Sequence, residues 1–284
     1  MTGTQILYCI SHLKGYGPST LRKLIAANLP EHPKEIPAFL NTENNDAIKL
    51  GIDNGMENWA RSISSGIGIL SPLDALYPSK LRELTDFPPL ISYKGALNCL
   101  DRPTVAIIGS RDASAYALKA GPRLSKYFVE AGFTIVSGLA KGCDALAHRT
   151  AVGHHASTVA VIPSGLPLIY PSEHRSLADA ILQNNGLLLS EQPYNKVPRA
   201  SDFIQRDRLQ SALSLGLAVI ETKVDGGTMH TVRFAKAQQK AVACLYPQAD
   251  LPDGNALIVS EFNGIKLQDR DDIQNYIRSL LDEI

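Results

Sequence analysis

The chain has 284 residues, 44% hydrophobic and 20% charged, the make-up of a globular protein with room for one α/β core and a smaller companion domain. Lys+Arg and Asp+Glu both number 28, so the formal net charge is zero. That excludes nucleic-acid binding by bulk charge and leaves local patches and backbone amides to do it. No stretch approaches the roughly 18 apolar residues of a membrane span, and Met1–Gly15 lacks the basic and apolar regions of a signal peptide, so neither membrane attachment nor export is expected. Cys9, Cys99, Cys143 and Cys244 stand singly, without metal-ligand spacing; free thiols in a reducing cytoplasm and no metal site are expected.

Residues 1–65 read as a small helical domain. Ile6, Leu7, Ile10 and Leu13, then Leu21, Leu24 and Ile25, recur at helical spacing on either side of Lys14-Gly15-Tyr16-Gly17-Pro18-Ser19. This resembles a helix-hairpin-helix or SAM-like unit. The turn either offers amides to a phosphate or simply joins two packed helices. Residues 66–102 form a connector, with Tyr77-Pro78 and Pro88-Pro89. From 103 to 284, apolar runs of strand length alternate with helical stretches. Strands are predicted over 104–109, 134–137, 157–162, 187–190, 218–221 and 240–245, with helices over about 115–131, 142–153, 174–184, 206–215 and 228–239. That alternation predicts a doubly wound, mostly parallel Rossmann-like sheet, whose ligands gather at the C-terminal strand ends.

Four segments carry the chemistry. In the first, a strand runs into Gly109-Ser110-Arg111. Gly109 admits an anion close to the backbone, and Arg111 can fork onto a phosphate. The segment lacks the G-x-G-x-x-G pattern, so no dinucleotide cofactor is expected. The second is Ser137-Gly138-Leu139-Ala140-Lys141-Gly142, with Asp144 and His148 four apart on the following helix. It reads as a further phosphate loop with Lys141 beside its amides; His148 either helps order the loop or is a satisfied core histidine. In the third, Arg199, Arg206 and Arg208 surround Phe203, the combination that stacks bases and neutralises phosphates of a single strand. Phe203 also suits a buried anchor. In the fourth, Glu221 ends a strand and Asp225-Gly226-Gly227-Thr228 opens the next helix, a third anion-binding turn. Glu221 there is either catalytic or a carboxylate that holds a loop.

Taken together and in this order, the segments resemble the DprA/Smf family of DNA-processing proteins. The matching residues are Gly109-Ser110-Arg111; Ser137 to Asp144 with Ala147-His148; Gly165 to Tyr170-Pro171; Ser190-Glu191-Gln192-Pro193; Phe203 with Arg206-Asp207-Arg208; and Glu221 with Gly226-Gly227-Thr228. The resemblance implies a Rossmann-type core that binds single-stranded DNA, pairs as a homodimer, and helps load a RecA-type recombinase. It assigns phosphate contacts to Arg111 and Lys141 and a base contact to Phe203. Asp207 stands where the family has asparagine, Ile204 where it has proline, and the third turn has Gly227-Thr228 and His230 in place of a serine-rich form. The chain stops soon after the last helix read here, so the winged-helix tail of many members is not expected.

A competing reading is enzymatic. The same Rossmann-like superfamily includes hydrolases of the N-glycosidic bond, which need a carboxylate near the sugar. Asp207, Glu221 and Asp225 are the candidates, and on DNA they would make a glycosylase acting on a flipped base, such as a modified base of phage DNA in defence. Against this, Asp207 also suits an ion pair with Arg206 or Arg208.

Overall fold

A computed structural model describes residues 1–43 and 45–283. It divides into two compact units: Met1–Lys94 with Glu191–Tyr194, and Gly95–Ser190 with the chain from Asn195 onward. Among the described residues no helix is long and apolar enough to cross a membrane, and no group of three or more His, Cys, Asp or Glu is placed to hold a metal ion.

The first unit holds α1 (Gly3–Ile10), α2 (Pro18–Leu24), α3 (Ile36–Phe39), α4 (Asp46–Ser64), β1 (Gly68–Leu70), α5 (Ser79–Arg82) and most of β2 (Ile91–Gly95), which pairs antiparallel with β1. α1 starts at a capping box between Thr2 and Gln5, and α2 starts on Pro18 at its first position. α4 lies close against α1 because Gly55 faces it: a Cβ there would stand 2.7 Å from the Cα of Cys9. Ile6, Leu7, Ile10, Leu21, Ile36 and Ile52 fill the interior of this unit.

The second unit runs β3 (Thr104–Ile108), α6 (Ala115–Glu130), β4 (Thr134–Ser137), α7 (Cys143–Gly153), β5 (Thr158–Val161), α8 (Arg175–Gln183), β6 (Leu187–Ser190), α9 (Ala200–Ala212), β7 (Gly216–Val219), α10 (Thr228–Ala237), β8 (Ala241–Leu245), α11 (Asp253–Phe262), β9 (Ile265–Leu267) and α12 (Arg270–Leu281). Its strands pair in parallel in the order β6-β5-β4-β3-β7-β8-β9. Alternate residues of each strand serve opposite faces. Val105 and Ile107 of β3 pack with Leu124 and Phe128 of α6, Ala147 of α7 and Tyr276 of α12. Ala106 and Ile108 pack with Val232 of α10 and Ile258 of α11. Both faces are therefore covered, which is the doubly wound Rossmann arrangement. Chain order reverses between β3 and β7, and the switch point lies there.

Two elements and the chain beyond residue 245 depart from the sequence reading. α9 begins at Ala200, six residues ahead of the expected start, because the Asp202 carboxylate turns back to accept the Arg199 backbone N–H at 2.7 Å and so caps the helix. β7 is Gly216–Val219, two residues earlier than expected, which leaves Glu221 in the turn beyond the strand. The chain after 245 adds α11, β9 and α12 to the core in place of stopping soon after the helix at 228–239. α12 is anchored by Tyr276, whose hydroxyl lies 3.1 Å from the carbonyl of Leu217 and 3.0 Å from that of Ala241.

α11 supplies the fully buried Asn255. Its Oδ1 accepts from Thr222 N–H at 2.9 Å, and its Nδ2 donates to the carbonyls of Ile220 (3.1 Å) and Leu245 (2.8 Å). One side chain thus satisfies three backbone groups where β7 and β8 end. Asn255→Ala is expected to cost about 2–4 kcal/mol, since buried groups lose their partners. In a urea titration the midpoint should fall with an unchanged slope; an unmoved midpoint would contradict this role.

Candidate functional site

The turn after β3 is built for close approach. A Cβ on Gly109 would stand 2.7 Å from Cys143 Sγ and 2.9 Å from the Glu221 carbonyl, so the position admits only glycine. Ser110 N–H donates to that carbonyl at 2.8 Å, and Ser110 O accepts from Cys143 N–H at 3.0 Å. Glu221 also uses its side chain: Oε1 accepts Ser114 N–H at 2.7 Å and Oε2 the Ser114 hydroxyl at 2.5 Å. Ser114 in turn caps α6 through Ala117 N–H at 3.1 Å. The carboxylate therefore spans the switch point and fixes the Gly109–Asp112 turn from the side of β7.

The loop after β4 is turned inward. Asp144 is buried and its Oδ2 accepts the N–H groups of Gly138 (3.1 Å) and Ala140 (3.4 Å). Burial pushes the Asp144 carboxyl up, against the pull of Arg206 and these amides. Those two amides are thus taken up within the protein. Lys141 stands exposed and meets Glu173 Oε1 at 3.0 Å. Ser137 is buried with its hydroxyl on the carbonyl of Ile107. His148 is a core residue: Thr158 gives its proton to the Ile135 carbonyl at 2.7 Å, so His148 Nδ1 donates to Thr158 Oγ1 at 2.8 Å. Burial first, then His174 and Arg206, push the imidazole down to about 3, so it is neutral.

Because α9 starts early, Phe203, Asp207 and Gln210 fall at helical spacing on one face, and all three line the cleft at the switch point. Arg208 lies around the helix, 4% exposed, and does not reach the cleft; its Nη1 donates to the Gln205 carbonyl at 2.9 Å. Arg206 reaches the wall but is 5% exposed, with Nη1 on the Val161 carbonyl at 2.6 Å and Nε 3.2 Å from Asp207 Oδ1. Arg206 and Arg208, two of the arginines expected to meet phosphates, are thus spent on the fold. With its amide turned so that oxygen faces donors, Gln210 accepts from Gly138 N–H at 2.7 Å and donates to Asp207 Oδ1 at 3.2 Å. Half-buried Phe203 carries the Arg111 guanidinium 5.1 Å from its ring centroid, and the ring of Tyr170 meets it edge-on at 5.5 Å.

The cleft has a volume of about 590 Å³. Gly109-Ser110-Arg111 forms one wall, Gly226-Gly227-Thr228 at the start of α10 another, and α9 the floor. An adjoining recess of about 120 Å³ joins Gly138 and Lys141 to Arg111, Tyr170 and Phe203. Tyr170, Lys223, His230 and Thr231 also border these spaces, and sequence reasoning gave none of them a role in the site. Asp225 is exposed and outside the cleft lining. Of the three carboxylates considered for hydrolysis, Glu221 is occupied by Ser114, Asp207 by Arg206 and Gln210, and Asp225 is elsewhere. The open groups are a guanidinium, an ammonium, aromatic faces and glycine turns, a set suited to anions and stacked rings.

Residues 68–275 match the family model described as DNA recombination-mediator protein A. The chain belongs to that family. Among curated members it is 36% identical to protein Smf of Escherichia coli over 62% of this chain and 47% of the relative, and 38% identical to the DNA processing protein DprA of Streptococcus pneumoniae over 61% and 60%. It thus spans about half to three-fifths of the length of these relatives. A solved structure of the Streptococcus pneumoniae protein matches with TM-score 0.77 at 26% identity, covering 97% of this chain and 98% of that one. A Helicobacter pylori DNA processing protein A, solved for its single-stranded DNA binding mode, matches with TM-score 0.68 at 29% identity, covering 76% of this chain and 96% of that one. The acid at 207 is accommodated by Arg206 and Gln210.

Asp207 carries a pH signature. Burial is the largest influence on its carboxyl and, with Asp144 adding to it, lifts it from 3.8 to about 6 against the opposing pull of Arg206. Between these values the folded protein holds a proton that the unfolded chain has lost, so this group's contribution to stability falls as pH rises through the window and stays low above it. His148 acts in the opposite direction, so the comparison with a variant isolates Asp207. The stability of wild type relative to Asp207→Asn should fall by about 1–3 kcal/mol from pH 4 to pH 6 and then level off. Urea titrations across that range check it; a difference independent of pH would contradict the assignment.

Proposed function

We propose that the chain binds single-stranded DNA along the C-terminal edge of its parallel sheet and acts in DNA processing and recombination without cleaving the strand. One observation carries the reading: an exposed Arg111 lies over Phe203, with Tyr170 edge-on to the same ring, beside the glycine turns of the switch point. A base stacks on such a platform while its phosphate meets Arg111, and Lys141 and Lys223 offer further cations. Glycine turns let the strand's backbone approach the amides at α10. The neutral chain needs no general basic surface for this, because the cations stand where the turns converge. Membership of the family and the described DNA-binding mode of the Helicobacter pylori protein support the assignment. The reading extends to two partners implied by the family resemblance, a second copy of the chain and a RecA-type recombinase.

Three variants separate stacking from charge. Phe203→Ala should weaken binding of an oligo-dT strand by about 1–3 kcal/mol per stacked base and leave the salt dependence unchanged. Arg111→Ala, and likewise Lys141→Ala, should weaken binding and lower the slope of log K against log salt by about 0.7. Fluorescence anisotropy across a salt series checks both. Wild-type affinity and slope in all three variants would remove the cleft as the binding site.

A further inference from the structure

α6 leaves the cleft with a charge pattern that the site does not use. Asp112 lines the cleft, Ser114 caps the helix, and Tyr116 follows in the first turn, 39% exposed. Beyond it, Lys119, Arg123 and Lys126 are all exposed. Tyr116, Lys119, Arg123 and Lys126 follow one another at steps of three or four, so they lie along one side of the helix. The opposite side, Ala117, Gly121, Leu124 and Phe128, is buried against the sheet. The only acid of the helix is Glu130 at its far end, 3.6 Å from Lys126. The neighbouring α7 adds an exposed Arg149, and its own acid, Asp144, is buried. In a chain of zero net charge, three cations against one acid on a single helix make a local positive track that begins at the cleft.

We infer that this stripe carries the backbone of a single strand after it leaves the cleft, with Tyr116 as a stacking step between the two. From Lys119 to Lys126 the helix rises about 10 Å, the length of one to two steps of an extended strand. Charge complementarity and continuity with the cleft both favour a nucleic-acid backbone as the occupant. The helix end nearest the cleft brings an aromatic ring, and the rest brings cations, the same combination as Arg111 with Phe203. The inference rests on the proposed single-strand binding in the cleft, and it extends the footprint beyond that cleft.

The test compares oligo-dT of about 6 and about 30 nucleotides, the shorter able to fill the cleft alone. In K119Q/R123Q/K126Q the longer strand should bind at least about tenfold more weakly, with the slope of log K against log salt reduced by about two, while the shorter strand binds as in wild type. K119R/K126R should bind both strands as wild type does, which separates charge from any effect on folding. Tyr116→Ala should weaken the longer strand and spare the shorter. Unchanged affinity and slope for the longer strand in the triple variant, with the shorter strand bound normally, would overturn the track and leave the cleft standing. Failure of wild-type protein to bind either strand would overturn the cleft reading and the track with it.

Discussion

The carboxylate of Glu221 is the point on which the site depends. Chain order reverses between β3 and β7, and at such a reversal the helices after neighbouring strands diverge to opposite faces of the sheet, opening a crevice. A crevice between diverging helices is useful only if its walls are fixed. Glu221 fixes them by accepting both the N–H and the hydroxyl of Ser114, while its own carbonyl takes Ser110 N–H. Gly109 is the necessary complement, since any side chain there would collide with Cys143 and with the Glu221 backbone. Asn255 braces the same region from behind by holding Thr222, Ile220 and Leu245. The acid at the strand end serves architecture, and the open chemistry is left to Arg111, Lys141, Lys223 and the aromatic rings.

The same economy governs charge. The chain is neutral overall, and its buried ionisable groups offset one another: Arg206 lies between Asp207 and the region of Asp144. Burying an arginine is tolerable when its donors are taken, and Arg206 gives one to the Val161 carbonyl. Asp207, an acid within an arginine-rich segment, is thereby a structural partner of Arg206 in the floor of the cleft. In the proposed binding mode, attraction for an anion comes from the exposed cations around that floor. Lys141 is one of these, and Glu173 holds it at 3.0 Å in an exposed pair, an interaction weak enough to yield to a phosphate.

Much of the sheet was legible because its strands are buried on both sides and read as continuous apolar runs: Thr134–Ser137 and Leu187–Ser190 coincide with their predicted bounds. The turns at Gly109 and Gly138 were legible for the same reason, each following such a run directly. The errors have local causes. Asp202 caps α9 from within a polar stretch that carries no hydrophobic period, so the true helix start was invisible, and Arg206 and Arg208 read as first-turn cations free to meet phosphates. Phe203, which reaches the cleft, and Arg208, which does not, are five residues apart and so about 140° apart around the helix. α11, β9 and α12 were missed because β9 is three residues long and α12 is charged along most of one side, with Tyr276 its anchor. Tyr170, though part of a quoted segment, was given no role because it approaches Phe203 from 33 positions away, a proximity that only the folded chain creates.

The central claim is that single-stranded DNA lies across the C-terminal ends of β3 and β7. Amide chemical-shift mapping on addition of oligo-dT tests it most directly, since it reports on each turn separately. The account predicts shifts at Gly109, Ser110 and Arg111, at Gly226, Gly227 and Thr228, and at Phe203, in one saturable process. Shifts confined to residues 1–94, with those turns unmoved at saturation, would contradict it.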